Sequence, residues 1–134
     1  MLGSACVLSL ASPVIAGHKV DEAVAKADPA LAADAHSWNP VSVVPLLTEA
    51  ALEESLGHRF AALRLYRRAV DTQPDNPDAW VALGQFELDG LNDPCAALRS
   101  LNQAYGLDRY NPAVAVKGGA LDVARVRAAK AGCS

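Results

Sequence analysis

The chain has 134 residues, a net charge of −3 and 51% hydrophobic residues, of which few are aromatic. This length fits one ordinary domain, and the abundance of alanine and leucine favours helices. Nucleic acid is excluded as an expected partner because phosphate binding needs a concentrated basic face, which the sequence lacks.

The first segment, residues 1–17, contains no charged side chain and is rich in apolar residues. It lacks the basic start of a signal peptide, and it is shorter than the ~20 residues that span a membrane. Two interpretations stay open. In the first, the segment is the end of a longer transmembrane helix, which would make the chain membrane-associated. In the second, it is a buried or disordered N-terminal helix.

The remaining elements are all predicted to be helical. Proline starts several of them, since it is tolerated in a first helical turn, and Gly57 is a C-terminal stop. Gly118 and Gly119 weaken the middle of the last helix. No segment alternates with period two, so no β-sheet is predicted. The predicted helices span residues 19–27, 29–37, 45–56, 59–71, 77–88, 94–105 and 112–131.

Small residues recur with a period of 34 to 35 residues, and three Asn-Pro pairs follow a similar spacing. Such a period is typical of stacked helical hairpins, which offer a groove and not a reaction centre. Two sets of small residues carry this spacing: Ala35, Ala69 and Ala104, and Ala50, Gly84 and Gly119.

The residues of one period resemble the tetratricopeptide repeat. The matching positions are Trp80-x2-Leu83-Gly84, Ala97-x3-Leu101 and Ala104, preceded by Ala62-x3-Tyr66, Ala69 and Pro74. The resemblance implies an all-α, tetratricopeptide-like array of antiparallel helix hairpins in a right-handed superhelix. It assigns residues 18–40 to a degenerate first hairpin and residues 41–134 to repeats plus a C-terminal capping helix. Glu87 departs from the family's tyrosine, and the loop 89–93 is one residue too long.

The resemblance also implies a function. In such arrays the first helix of each hairpin lines a concave groove, and an apolar strip with acidic edges suits an extended peptide or a helix. We therefore expect a non-catalytic protein-protein interaction module or scaffold with a protein or peptide partner. Homotypic stacking into a homo-oligomer is an alternative, as is an array too short to bind alone. The groove residues in the family register are Leu47, Ala51, Glu54, Asp78, Val81, Gln85, Leu88 and Asp89.

A narrower resemblance concerns the order of segments. A hydrophobic segment, an alanine-rich helix and the stretches "HSWNPVSVVPLL" and "LYRRAVDTQPDNPDAWVALGQFEL" look like the C-terminal tail of bacterial O-antigen-ligase-like membrane proteins. This resemblance implies an accessory tail of a membrane protein that handles lipid-linked glycans. The catalytic part would then lie outside this chain.

No catalytic or cofactor motif is present. The histidines at positions 18, 36 and 58 have no metal-ligating spacing, and no nucleophile elbow or phosphate-binding loop occurs. Glu49, Glu53 and Glu54 are expected to be solvated or to pair with the arginine-rich helix that follows them. We therefore expect no enzyme activity, no cofactor and no metal in this chain.

The chain has three cysteines, Cys6, Cys95 and Cys133, and no CxxC pair. Cys95 is predicted to open one helix and Cys133 to close the next, antiparallel one, so their side chains can approach. A Cys95–Cys133 disulfide in an oxidising compartment and two unpaired thiols both stay open. The disulfide would fit a third hypothesis, a secreted structural domain.

Overall fold

A computed structural model describes residues 17–133, and every regular element in this range is helical, with no strand. The interpretations of residues 1–16, including Cys6, lie outside the described residues. The α-helices are 17–26 (α1), Pro29–Trp38 (α2), Val44–Ser55 (α3), Arg59–Thr72 (α4), Pro77–Gln85 (α5), Pro94–Leu107 (α6), Pro112–Ala115 (α7) and Ala120–Ala131 (α8). A π-helical turn, Phe86–Gly90 (π1), continues α5.

Four of the helices begin in the same way. An aspartate or asparagine side chain accepts a hydrogen bond from a backbone N–H of the first turn, and a proline follows it at the first helical position. A cap of this kind stabilises a helix by about 1 kcal/mol. Four of the five Asn-Pro and Asp-Pro pairs therefore act as helix starts: Asp28-Pro29, Asn76-Pro77, Asp93-Pro94 and Asn111-Pro112. The fifth, Asn39-Pro40, follows the end of α2 and starts no helix.

The chain divides between Leu65 and Tyr66, inside α4, into two compact units. In the first unit, α2 packs against α3 over a core made largely of alanine. Lys19 of α1 forms an ion pair with Asp34 of α2. Val24 of α1 is 60% exposed, whereas its neighbour Ala23 is buried. The buried apolar residues of this unit include Ala23, Ala32, Ala35, Val43, Leu46, Ala50 and Ala62.

In the second unit, α6 packs against α5 and also against α8. Its core includes Leu88, Ala97, Leu101, Ala104, Val114, Leu121 and Ala124. Gly84 of α5 lies directly against Leu101, since a Cβ at position 84 would be 2.6 Å from Leu101 Cγ. This contact confirms that a small residue at position 84 is needed for the two helices to approach.

The prediction of one last helix over residues 112–131 is wrong. Residues 116–119 break it into α7 and α8, with Val116 extended and Gly118 in the left-handed region at φ +80°. Gly119 is extended, and a Cβ there would lie 2.8 Å from Ala113 O and 2.9 Å from Val116 O. Gly119 therefore permits a tight turn onto α7, and it does not lie in the middle of a helix as predicted from the sequence.

The helix predicted over residues 77–88 and its following loop also differ from the structure. The α-helix stops at Gln85, and π1 carries the chain to Gly90. The Leu91 N–H donates to Phe86 O at 3.0 Å, which is the i to i+5 bond of a π-helix. The extra residue of the loop 89–93 is thus accommodated in the wider turn of π1.

Candidate functional site

The first unit has an apolar groove along α3, which we call the α3 groove. Its volume is about 440 Å³, and Leu47 and Ala51 of the predicted groove lie in it, whereas Glu54 does not line it. The spacing of three or four residues along α3 places its lining residues on one helical face. The α3 groove is lined by Val24, Val44, Leu47, Thr48, Ala51, Leu52 and Ser55.

The side chains at the edge of the α3 groove are unusually exposed for apolar residues. Val24 is 60% exposed and Val44 is 57% exposed. The opposite face of α3 is buried, with Leu46 and Ala50 fully enclosed in the core. Helix α3 therefore has one apolar face that packs inside the unit and a second that faces solvent.

The first unit, which contains the α3 groove, is acidic in composition. Residues 17–65 contain four lysine or arginine residues and seven aspartate or glutamate residues, whereas residues 66–134 contain eight of each. Helix α3 itself carries three glutamates and no basic residue. Both lysines of α1 are in ion pairs, Lys19 with Asp34 and Lys26 with Glu22. The net charge of the chain thus resides in the first unit, and the α3 groove has no unpaired lysine beside it.

His58 lies just beyond the end of α3, and its Nδ1 is 2.6 Å from Glu53 Oε2. Gly57, at φ +80°, ends α3 with two backbone hydrogen bonds that turn the chain back over the last turn. This turn holds His58 beside Glu53, and the histidine stays exposed. Glu53 is therefore paired with His58, and not with the arginine-rich helix that was expected from the sequence as its partner.

The predicted groove residues of the second unit are not brought together on one open surface. Asp78 and Gln85 are exposed and Val81 is half-buried. Leu88 is only 3% exposed and belongs to the core, so its prediction as a groove residue is wrong. The reason is π1. Its turn contains about one residue more than an α-helical turn, so Leu88 faces the core and not the solvent.

Two of these residues are held by hydrogen bonds inside the second unit. Asp78 Oδ1 accepts a hydrogen bond from Asn111 Nδ2 at 3.0 Å. Asp89 Oδ1 accepts one from Arg127 Nη1 at 3.3 Å, and the same nitrogen donates to Leu88 O. Both acidic residues predicted at the groove edge therefore serve contacts within the fold.

Cys95 and Cys133 are joined by a disulfide, with 5.7 Å between their Cα atoms. Cys95 lies in the first turn of α6, and Cys133 follows the end of α8. Gly132, at φ +79°, turns the chain so that the Cys133 N–H donates to Ala128 O. Of the two alternatives, a disulfide and two unpaired thiols, the structure has the disulfide. It joins the C-terminal end of α8 to the N-terminal end of α6.

Sequence reasoning missed a buried carboxyl in the second unit. Glu87, in π1, is only 5% exposed, and its Oε2 accepts a hydrogen bond from Ser100 Oγ of α6 at 2.6 Å. Burial raises the pKa of Glu87 and nearby Asp93 raises it further, whereas Ser100, Arg67 and Arg99 lower it. The sequence feature that could have indicated this carboxyl is the glutamate itself, at a position where the tetratricopeptide pattern has tyrosine.

No group of three or more histidine, cysteine, aspartate or glutamate residues able to hold a metal occurs between residues 17 and 133. In the same range no helix has the length and apolar character needed to cross a membrane. No protein-family model matches the chain, and no curated protein sequence is similar to it.

Proposed function

We propose that this chain is a non-catalytic protein-interaction module built from tetratricopeptide-like helical hairpins. We further propose that its first unit binds a basic amphipathic segment of a partner protein in the α3 groove. The observation that carries the proposal is a solvent-facing apolar groove on a helix with three carboxylates and no basic residue.

The packing of small residues supports the repeat architecture. The three alanines with the recurring spacing, at positions 35, 69 and 104, are all fully buried. Gly84 approaches Leu101 so closely that a methyl group would overlap it. These contacts are what a stack of close-packed helical hairpins requires, since its helices approach through small residues.

Shape and charge together support the choice of partner. An amphipathic helix binds a groove through apolar residues three or four positions apart, and the α3 groove follows one helical face of similar spacing. The excess negative charge of the first unit favours lysine and arginine on the partner and raises its association rate at low salt. We therefore expect a segment with an apolar stripe flanked by basic residues.

The test is the binding of two labelled model peptides, followed by fluorescence anisotropy. Both have the same leucine stripe, but one carries lysine and the other glutamate on the polar face. We expect the lysine peptide to bind and its affinity to fall as salt rises. Equal binding of the two peptides would refute the charge argument, and no binding of either would refute the proposal.

A variant locates the binding surface. Replacing Val24 and Val44 by serine removes two half-exposed apolar contacts worth about 1 kcal/mol each, which corresponds to a loss of roughly 30-fold in affinity. The matched control is Val126→Ser in α8, an equally exposed valine in the second unit. Unchanged affinity in the double variant, or an equal loss in the control, would exclude the α3 groove.

A second candidate function is an accessory tail of an O-antigen-ligase-like membrane protein. The disulfide favours it over an intracellular scaffold, because such bridges persist in oxidising compartments outside the cytosol. A thiol-labelling experiment on intact cells that naturally produce the chain tests this candidate. Oxidised Cys95 and Cys133 in a membrane fraction are expected, and reduced thiols in the soluble cytosolic fraction would reject it.

A further inference from the structure

A second cavity lies wholly within the second unit, and we call it the Glu87 cleft. It has a volume of about 440 Å³, and its walls come from α4, α5 with π1, and α6. Pockets of this size suit small organic ligands. Glu87 and Ser100 are its buried polar residues, and Arg67, Asp71 and Arg99 are exposed at its opening.

The carboxyl of Glu87 is only partly satisfied by the protein. Ser100 Oγ donates to Oε2, and no other hydrogen bond from residues 17–133 reaches this carboxyl. The other oxygen, Oε1, is not fully enclosed, so it is open to the cleft and can accept a further hydrogen bond. Glu87 therefore offers an acceptor oxygen to a ligand that donates hydrogen bonds.

The position of Glu87 depends on π1. The wide turn places the side chain toward Ser100 across the cleft, while the next residue, Leu88, enters the core. Single π-helical turns inside α-helices are frequent at functional sites, since they present side chains that a regular helix would not. Glu87, which lines the cleft, thus lies in the irregular turn.

Two arginine side chains lie at the opening of the cleft. Arg67 and Arg99 both act electrostatically on Glu87, yet neither forms a hydrogen bond or ion pair within residues 17–133. Guanidinium groups that line a cavity without a partner are suited to a carboxylate, which they bind with paired hydrogen bonds. With Asp71 and Glu87 the cleft contains two basic and two acidic side chains, so it favours neither a pure cation nor a pure anion.

We propose that the Glu87 cleft binds a small zwitterion of the α-amino-acid class. The ligand ammonium donates to Glu87, and its carboxylate lies between Arg67 and Arg99. Trp80 and Leu83 line the same cavity and provide apolar surface for the ligand's side chain. An arriving ammonium also favours the ionised form of Glu87, which burial disfavours in the empty cleft.

The ligand test uses three probes and isothermal titration calorimetry on the full chain. L-Leucine carries both charges, 3-methylbutan-1-amine lacks the carboxylate, and 4-methylpentanoate lacks the ammonium. We expect L-leucine to bind, and each singly charged probe to bind at least about tenfold more weakly, because each loses a charge-assisted hydrogen bond. No measurable binding of L-leucine, or equal binding of either singly charged probe, would overturn the proposal.

Two variants connect the binding to these residues. Glu87→Gln keeps the size of the side chain and an acceptor for Ser100, and it should weaken L-leucine binding by at least about tenfold. Arg67→Gln combined with Arg99→Gln should do the same, whereas Arg109→Gln, exposed and outside the cleft, is the matched control.

Far-ultraviolet circular dichroism and thermal unfolding verify that each variant is folded. The indole N–H resonance of Trp80 reports the binding independently, because Trp80 Nε1 donates to Pro74 O at the edge of the cleft. Wild-type affinity in folded Glu87→Gln would refute the role of Glu87. These outcomes do not depend on the α3 groove, so the two proposals can fail separately.

Discussion

Replacing Gly84 by alanine tests the packing of the second unit most directly. The added Cβ would lie 2.6 Å from Leu101 Cγ and 2.9 Å from Leu101 Cδ2. Carbon atoms in contact normally lie about 3.5–4.0 Å apart, so the methyl group overlaps two atoms at once. Leu101 has no exposed surface and cannot swing into solvent.

The expected cost is the difference between two terms. Overpacking of a core costs about 1–3 kcal/mol, and alanine regains about 1 kcal/mol over glycine inside a helix. Because the methyl group overlaps two atoms, the upper part of the overpacking range applies, about 2–3 kcal/mol, and we expect Gly84→Ala to lower the free energy of unfolding by about 1–2 kcal/mol. Gly106→Ala is the control, because a Cβ there meets nothing within 4 Å. It should raise that free energy by about 0.5 kcal/mol.

The assay is urea unfolding followed by circular dichroism. A second step repeats the substitution in a Leu101→Ala background, which removes the overlapping atoms. There Gly84→Ala should become stabilising, because only the helix propensity remains and the methyl group partly fills the space. The reasoning is refuted if Gly84→Ala alone is as stable as the original chain, or if its effect is the same in both backgrounds.

Three further changes probe the second unit. Replacing both Cys95 and Cys133 by alanine opens a loop of 38 residues that the disulfide closes. This should lower the stability by about 4 kcal/mol in thermal unfolding. Three free thiols in the unreduced chain would contradict the disulfide. Glu87→Gln should have the same free energy of unfolding as the original chain at about pH 4 and a higher one as pH rises, because burial raises the folded pKa of Glu87 above the ordinary 4.5 and makes its ionisation costly. Urea titrations that show no pH-dependent difference would contradict this. Gly119→Ala should cost about 1–3 kcal/mol in the same assay because its methyl meets two backbone carbonyls, and an unchanged midpoint would contradict the turn geometry.

Much of the helical layout could be predicted because its signals are local. Four of the five Asn-Pro and Asp-Pro pairs mark where helices begin, and Gly57 marks where α3 ends, so neighbouring residues determine these boundaries. The burial of Ala69 and Ala104 followed from their spacing. These predictions did not require knowledge of which helices meet.

The failures concern residues whose position depends on packing contacts and not on helix propensity. Gly118 and Gly119 were interpreted as a weak point of one helix, because propensity alone does not reveal a tight turn onto α7. Leu88 was assigned to a groove because an unbroken helix was assumed. The π-helical turn forms where Leu88 packs in the core and Glu87 meets Ser100, and neither contact is visible within a short stretch of sequence.

The wide turn at residues 86–90 has an evolutionary consequence. An insertion of one residue can be accommodated in this form, because a π-helical turn holds one residue more than a regular α-helical turn. The same event reorients the side chains within the turn, so that a carboxylate enters the interior while a leucine completes the packing. New chemistry can thus arise in a helical scaffold by lengthening a helix by one residue, with no loop rebuilt and no helix lost.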